Sequence, residues 1–254
     1  MIINNIVFSP TGGTGKIAGV LCESLSDGGE IRTIDLSDPF VNESDLVLDP
    51  AGLSVISMPC FGGRVPALAL ERLQKIDPQG SKSIVVIAYG NRAYDDALLE
   101  LKDSAEKMGF DVIAAISAIT EHSIMHQYAT GMPDLPEVDA LKKFAEEIKE
   151  KMQAGANEPF EVPGNTPYKK AGSVPLVPKV TGNCVSCGEC ARACPAAAIN
   201  SEDYAANKAL CISCMRCIQV CPKNARSINK MMVSVAAKAI KKACMEKKDP
   251  ELFL

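Results

Sequence analysis

The sequence predicts an α/β fold, a doubly wound parallel sheet followed by a smaller, cysteine-rich α+β unit. Three observations carry that prediction. Apolar, strand-like runs alternate with helix-periodic segments from the N-terminus to about residue 153. Residues 155–179 then gather Pro159, Pro163, Pro167, Pro175 and Pro178 with Gly155, Gly164 and Gly172. Beyond them, eight of the eleven cysteines fall between Cys184 and Cys221.

Buried strands are expected at 2–8, 31–36, 53–58, 83–89 and 112–117, and helices at 14–25, 66–75, 93–108 and 137–152. The repeated β–α–β order calls for right-handed crossovers and a sheet covered on both faces. Ligands of such sheets sit outside the carboxyl ends of the strands, where strand order reverses. The loops after the first, third and fourth strands are therefore the places to search. The proline density of 155–179 forbids helix and central strand, and marks a stiff, extended connector between two domains.

A chain of 254 residues has room for one ordinary domain and one small one. With 47% hydrophobic and 23% charged residues it is globular in composition. No apolar run approaches the length of a membrane span. The apolar start, residues 1–8, lacks a basic flank and reads as a first strand, not a secretion signal. Residues 1–179 hold 16 Lys+Arg against 25 Asp+Glu, a net of −9; residues 180–254 hold 11 against 6, a net of +5. The positive balance of the second part offsets the charge of metal-bound thiolates and is no sign of nucleic-acid binding.

The cysteines form two copies of Cys-x2-Cys-x2-Cys-x3-Cys-Pro. The first is Cys184, Cys187, Cys190, Cys194 and Pro195; the second is Cys211, Cys214, Cys217, Cys221 and Pro222. Zinc sites close at four ligands, usually across a longer gap and often with histidine, which this window lacks. A disulfide framework needs an oxidising compartment. The tandem resembles the bacterial two-cluster ferredoxins, whose thiolates hold two 4Fe–4S cubes and whose fourth cysteine in each run ligates the other cube. That resemblance implies Cys184, Cys187, Cys190 and Cys221 on one cluster, and Cys211, Cys214, Cys217 and Cys194 on the second. Reduced thiolates imply a cytoplasmic protein.

After the first strand comes Ser9-Pro10-Thr11-Gly12-Gly13-Thr14-Gly15-Lys16. Hydroxyls and glycines between a strand and a helix let backbone N–H groups converge on a phosphate. A Walker loop fails here, because position 10 is proline and Ile17 stands where a magnesium-binding hydroxyl belongs. The stretch resembles the phosphate loop of flavodoxins at Ser9, Thr11, Gly12 and Thr14. The resemblance implies bound FMN, with Gly13 in the same loop and the ring flanked by the other two loops. These are Pro59, Cys60, Phe61 and Gly62, and Gly90, Asn91, Arg92, Tyr94 and Asp95. Tyr94 is the expected stacking ring, with Phe61 on the opposite face. Arg64 and Arg92 offer a second use, holding an anionic substrate.

Cys60, Cys22 and Cys244 read as packing residues, and His122 and His126 as loop or cap residues. Residues 230–254 read as a basic amphipathic helix, with Met231, Met232, Val235, Ala239, Ile240 and Ala243 on the apolar side, docked on the protein itself. The expected division is a flavodoxin-like domain over 1–155, a linker over 156–179, a ferredoxin domain over 180–229 and this C-terminal helix. As a whole the order resembles the flavodoxin–ferredoxin fusion proteins of anaerobic bacteria and archaea. That implies a flavodoxin-like doubly wound sheet with a two-cluster ferredoxin domain, acting in electron transfer with soluble redox partner proteins. A small-molecule reductase and a redox or oxygen sensor are the alternatives, and a homodimer is an open arrangement.

Overall fold

A computed structural model describes residues 1–41, 46–155, 158–172 and 176–254. Five parallel strands form the body of one sheet: β1 (Ile3–Val7), β2 (Ile31–Asp35), β3 (Leu53–Pro59), β4 (Lys82–Tyr89) and β5 (Asp111–Ile119). Their order is β2-β1-β3-β4-β5, so the order reverses beside β1 and β3, the switch point of a doubly wound sheet. β3 and β4 are buried along nearly their whole length, as strands covered on both faces must be.

Helices α1 (Gly13–Ser26) and α4 (Leu135–Ala154) cover one face. Ile17, Leu21, Cys22 and Leu25 meet Leu141, Ala145 and Ile148 over Ile84, Val86 and Ile116. On the other face α2 (Ala67–Leu73) and α3 (Ala97–Met108) set Leu73, Leu98, Leu101 and Ala105 against Ile56, Val85 and Ile87. Helix ends follow their residues. Asp134 caps α4 by accepting from Glu137 N at 3.1 Å, and Gly155 ends it in the left-handed region. α3 starts four residues later than its periodicity suggests, because Asn91 and Asp95 adopt positive φ and Asp96 becomes the N-cap.

The connector lies along α3. Tyr168 Oη donates to Asp103 at 2.5 Å, and Phe160 sits between the ammonium groups of Lys102 and Lys151 at 5.2 and 5.1 Å from the ring centre. Asp96 accepts from Lys169 N at 2.6 Å and from Asn165 N at 2.9 Å. Of the connector's prolines, Pro175 falls outside the described residues, as does the expected boundary beside 156–157.

These bonds, the one from the Lys169 amide first, hold the Asp96 carboxyl below the ordinary carboxylate range. A depressed folded-state pKa stabilises at pH values above the unfolded pKa, and the contribution is lost as pH falls through the depressed value. Acidification below the ordinary carboxylate range is therefore expected to loosen the connector from α3. Asp96→Asn should do the same at neutral pH, seen as faster hydrogen exchange at the Asn165 and Lys169 amides with the β3 and β4 amides unchanged.

The cysteine-rich part pairs β6 (Lys179–Val180) with β7 (Arg226–Ser227) and carries two one-turn helices, α5 (Glu189–Arg192) and α6 (Arg216–Gln219). Among the described residues, three hydrogen bonds join it to the sheet domain. Arg72 Nη2 donates to Pro195 O at 2.5 Å, Arg216 Nη1 to Ser37 Oγ at 3.2 Å and Gln219 Nε2 to Thr11 O at 3.1 Å.

The reading of 230–254 as one docked helix is corrected in two respects. Helix α7 covers Lys230–Ile240, a 3-10 turn follows over Lys241–Cys244, and the last residues form β8 (Glu251–Phe253), antiparallel to β5 as the sixth strand. The apolar stripe faces outward, with Met231 77% and Val235 64% exposed, while Ala237 is the buried contact. Of the chain's remaining cysteines, Cys22 and Cys244 are buried as expected.

Candidate functional site

The two cysteine runs repeat the same backbone turns at an offset of 27 residues. Positive φ recurs at Ser186 and Ser213, at Gly188 and Met215, and at Ala197 and Asn224. Repeating the same turns folds each run around its own cavity and sends its fourth cysteine across to the other. One cavity is lined by Cys184, Cys187, Cys190 and Cys221, together with Val180, Tyr204 and Arg226. The other is lined by Cys194, Cys211, Cys214 and Cys217, with Ala198, Ile199, Ile212 and Met215. The grouping in space is thus the crossed one. The two crossing sulfurs receive matching bonds, from Ala198 N to Cys194 Sγ at 3.3 Å and from Ala225 N to Cys221 Sγ at 3.1 Å.

Among the described residues, no three His, Cys, Asp or Glu side chains converge closely enough to hold a single ion. Each set of four sulfurs instead surrounds a space, walled by Val180, Val185, Tyr204 and Ala225 in one case and by Ala198, Ile199, Ala206 and Ile212 in the other, which fits a thiolate-held cube. Burial pushes the free thiol of Cys214 up to about 12 and that of Cys217 up to about 11. Metal ligation removes such protons outright.

At the switch point, Gly12 enters the left-handed region (φ 85°) and starts α1. Ser9 Oγ accepts from Gly15 N at 2.8 Å, folding the loop back over the helix end. Among the described residues nothing accepts from the amides of Gly13 and Thr14, the free donors of a helix start. Thr120 Oγ1 is buried without a partner, and a Cβ at Gly13 would come within 2.3 Å of it. An orphaned hydroxyl and unpaired amides facing one glycine cradle are the donor set a phosphate requires.

Beside this loop opens a cleft of about 610 Å³, within the range of cofactor sites. Thr11, Gly13 and Lys16 form one wall. The segment after β5 forms a second, through Thr120, Ser123, Ile124 and Met132. Met215, Ile218, Gln219 and Arg226 close it from the cysteine-rich part, with Lys230 and Val233 of α7. The wall after β5 was not expected, because its residues carry no motif. Within it His122 Nδ1 accepts from Ile124 N at 3.2 Å and Met125 N at 3.3 Å, and burial lowers its pKa to about 4. His122 is a neutral loop cap, and exposed His126 pairs with Glu121 at 2.7 Å.

The two other loops are placed differently from expectation, and none of their predicted contact residues lines the cleft. Tyr94 is only 9% exposed, packs edge-on to Tyr89 at 5.3 Å and donates to Glu251 Oε2 of β8 at 2.6 Å. The open stacking face expected of Tyr94 is thereby taken up by the core and by the tail. Asn91 Nδ2 donates to Cys244 O and Glu246 O at 3.1 and 2.9 Å, and Gly90 lies against His122. Arg92 pairs with Asp95, and Asp95 also accepts from Lys169 Nζ.

In the loop after β3, Phe61 closes a tight turn with Arg64, and Gly62 O accepts from Gly172 N of the connector at 3.2 Å. Arg64 is clamped by Glu100 at 2.5 and 2.8 Å and by Lys169 O at 2.6 Å, so both arginines are engaged within the chain. Cys60 is half-buried with its sulfur toward Tyr94 O at 3.5 Å. Burial pushes its thiol up to about 12, which makes it a packing residue.

The arrangement defines a class: a flavodoxin-like doubly wound sheet carrying a separate cysteine cage unit of iron–sulfur type. Residues 183–225 match the family model of the 4Fe-4S dicluster domain. The sheet domain is similar to solved structures of flavodoxins. These include one from Streptococcus pneumonia TIGR4 (17% identity over 59% of this chain and 99% of that one, TM-score 0.44). Another is the Megasphaera elsdenii flavodoxin (21%, 58% and 99%, TM-score 0.42). A third likeness is to rubredoxin oxygen:oxidoreductase from Desulfovibrio gigas (18%, 60% of this chain and 35% of that one, TM-score 0.41). No curated protein matches the chain. The fold assignment rests on strand order and register, and the cage assignment on the cysteine spacing.

Proposed function

We propose that the chain is an electron-transfer iron–sulfur flavoprotein that relays electrons between two 4Fe–4S clusters and one FMN. One observation carries the reading: the cleft beside the phosphate loop is closed by Met215, which also walls one cysteine cage, and by Arg226, which also walls the other. A flavin exchanges one or two electrons and each cube one, so the pair converts between the two kinds of traffic.

In this reading Ser9, Thr11, Gly12, Gly13 and Thr14 hold the phosphate, and Thr120 Oγ1 supplies a further donor. Lys16 brings positive charge to the same wall. Met215, Ile218, Met132 and Val233 keep water from the space between phosphate loop and cages. Cys184, Cys187, Cys190 and Cys221 hold one cluster, and Cys194, Cys211, Cys214 and Cys217 the other. The domains are 1–155, a connector over 156–179, the cluster domain over 180–229, and a C-terminal segment that returns to the sheet. Relay is favoured over reduction of an anionic small molecule, because Arg64 and Arg92 already hold Glu100 and Asp95. Donor and acceptor are then soluble redox proteins. Among the described residues no helix is long and apolar enough to cross a membrane.

Anaerobic purification followed by metal, sulfide and flavin assays tests the reading. About eight iron, about eight acid-labile sulfide and one FMN per chain are expected. Zinc in place of iron, or a flavin released as FAD, would refute it.

A further inference from the structure

After their fourth ligands the two halves of the cysteine-rich part align position for position, and of the three positions that differ only the last is buried in both. Cys194-Pro195-Ala196-Ala197-Ala198-Ile199 stands against Cys221-Pro222-Lys223-Asn224-Ala225-Arg226. Ile199 is a core residue between Cys190, Cys194 and Cys217. Its counterpart is a charged side chain, yet Arg226 is buried to the same degree, 4% exposed against 9%.

Burying a guanidinium is costly unless its N–H groups are matched. Arg226 Nη1 donates to Cys190 Sγ at 3.4 Å and to Tyr204 O at 2.9 Å, and Nη2 donates to Pro178 O at 3.1 Å. Nε has no partner. Among the described residues no carboxylate pairs with it. Its charge is met by sulfur and carbonyl oxygens alone, which is a reason to look for function beyond packing. Arg226 is also the one described residue that lines both the cleft and the cage of Cys184, Cys187, Cys190 and Cys221.

We propose that Arg226 sets the two clusters at different potentials, making the one held by Cys184, Cys187, Cys190 and Cys221 the easier to reduce. An N–H bond to a ligand sulfur and a nearby positive charge both favour the more negative, reduced state of a cluster. The direct bond goes to Cys190 of this cluster. The other cluster has apolar Ile199 at the equivalent place. Arg226 also stands near Cys217 and acts on it by charge and, to a lesser degree, by a hydrogen bond, so both potentials are raised, but unequally. Standing between this cage and the cleft, Arg226 places the better electron acceptor beside the cofactor. It is a positioning and tuning residue with no part in bond making.

The inference rests on the two-cluster reading, and the test separates the two. Full-length protein is purified anaerobically as wild type, Arg226→Ile and Arg226→Lys, and each is titrated reductively while the reduced clusters are counted by electron paramagnetic resonance. Wild type should show two one-electron waves. In Arg226→Ile the higher wave should move to lower potential by more than the lower wave does, narrowing the gap. Arg226→Lys keeps the charge but loses the fork that joins Cys190, Tyr204 and Pro178, and should show a smaller shift in the same sense. It also serves if Arg226→Ile fails to assemble. Waves unchanged in Arg226→Lys and Arg226→Ile, or displaced equally, would overturn the proposal while leaving the clusters in place. Wild-type protein without iron would overturn the underlying reading instead.

Discussion

Alanine in place of Cys194 is expected to remove or cripple the cluster centred on Cys211, Cys214 and Cys217, and to leave intact the cluster built on its own run. The reason is spatial. Cys194 lies in the cavity of Cys211, Cys214 and Cys217, is nearly buried, and receives a bond from Ala198 N at 3.3 Å, while Cys184, Cys187 and Cys190 line the other cavity with Cys221. Iron should fall from about eight per chain to about four if the cube is lost, or to about seven if it survives with three irons. Paired variants identify which cluster is hit. Ligands of one cluster act as a unit, so their losses do not add. Cys194→Ala with Cys211→Ala should lose little more iron than the worse single variant, whereas Cys194→Ala with Cys184→Ala should damage both clusters. The opposite pattern, additivity with Cys211 and none with Cys184, would place Cys194 on its neighbours' cluster and end the crossed assignment.

How far the sequence discloses this molecule depends on the range of the forces involved. The cage residues are legible because ligand spacing within each run is a local property, fixed by a few turns of backbone. The five parallel strands are legible for a similar reason: each is a short, mainly apolar run bounded by its own loop. β2, with Arg32 and Thr33, is nonetheless largely exposed and not the buried strand its position suggests. The phosphate loop also reads locally, from Ser9 to Thr14. The misread parts depend on partners far away. Tyr94 is an aromatic ring in an expected loop, but the carboxylate that takes its hydroxyl is Glu251, 157 residues on. Glu251, Leu252 and Phe253 are too few to announce a strand, and become one only because β5 has a free edge beside them. The helical spacing of 230–243 is real up to Ile240, yet spacing cannot say which side is covered. Here Val233 and Ala237 turn inward and Met231 and Val235 do not. The wall after β5 has no motif, and Thr120 gains meaning only when α1 brings Gly13 against it.

The contact between the two domains is expected to set the rate at which an electron entering at the clusters reaches the flavin. A connector alone would keep the centres at high effective concentration without fixing their approach. Arg72, Arg216 and Gln219 add the fixing, by reaching Pro195 O, Ser37 Oγ and Thr11 O across the boundary. The last of these ends on the phosphate loop itself, and the first on the residue after Cys194. Each such bond is worth about 0.5–1.5 kcal/mol net, so removing all three is expected to reduce the docked population by about tenfold or more. The loss is limited by the connector on α3 and by β8, which keep the domains tethered. A one-electron pulse delivered to the oxidised, fully loaded protein measures the transfer, as cluster bleaching decays into flavin absorbance. In the intact chain the decay should be first-order with a rate independent of protein concentration. In the Arg72→Ala, Arg216→Ala, Gln219→Ala variant it should slow by roughly tenfold, with iron and FMN contents unchanged. A rate that climbs in proportion to wild-type concentration would mean that electrons pass between chains. An unslowed variant would mean that these three bonds do not govern the approach of cluster to flavin.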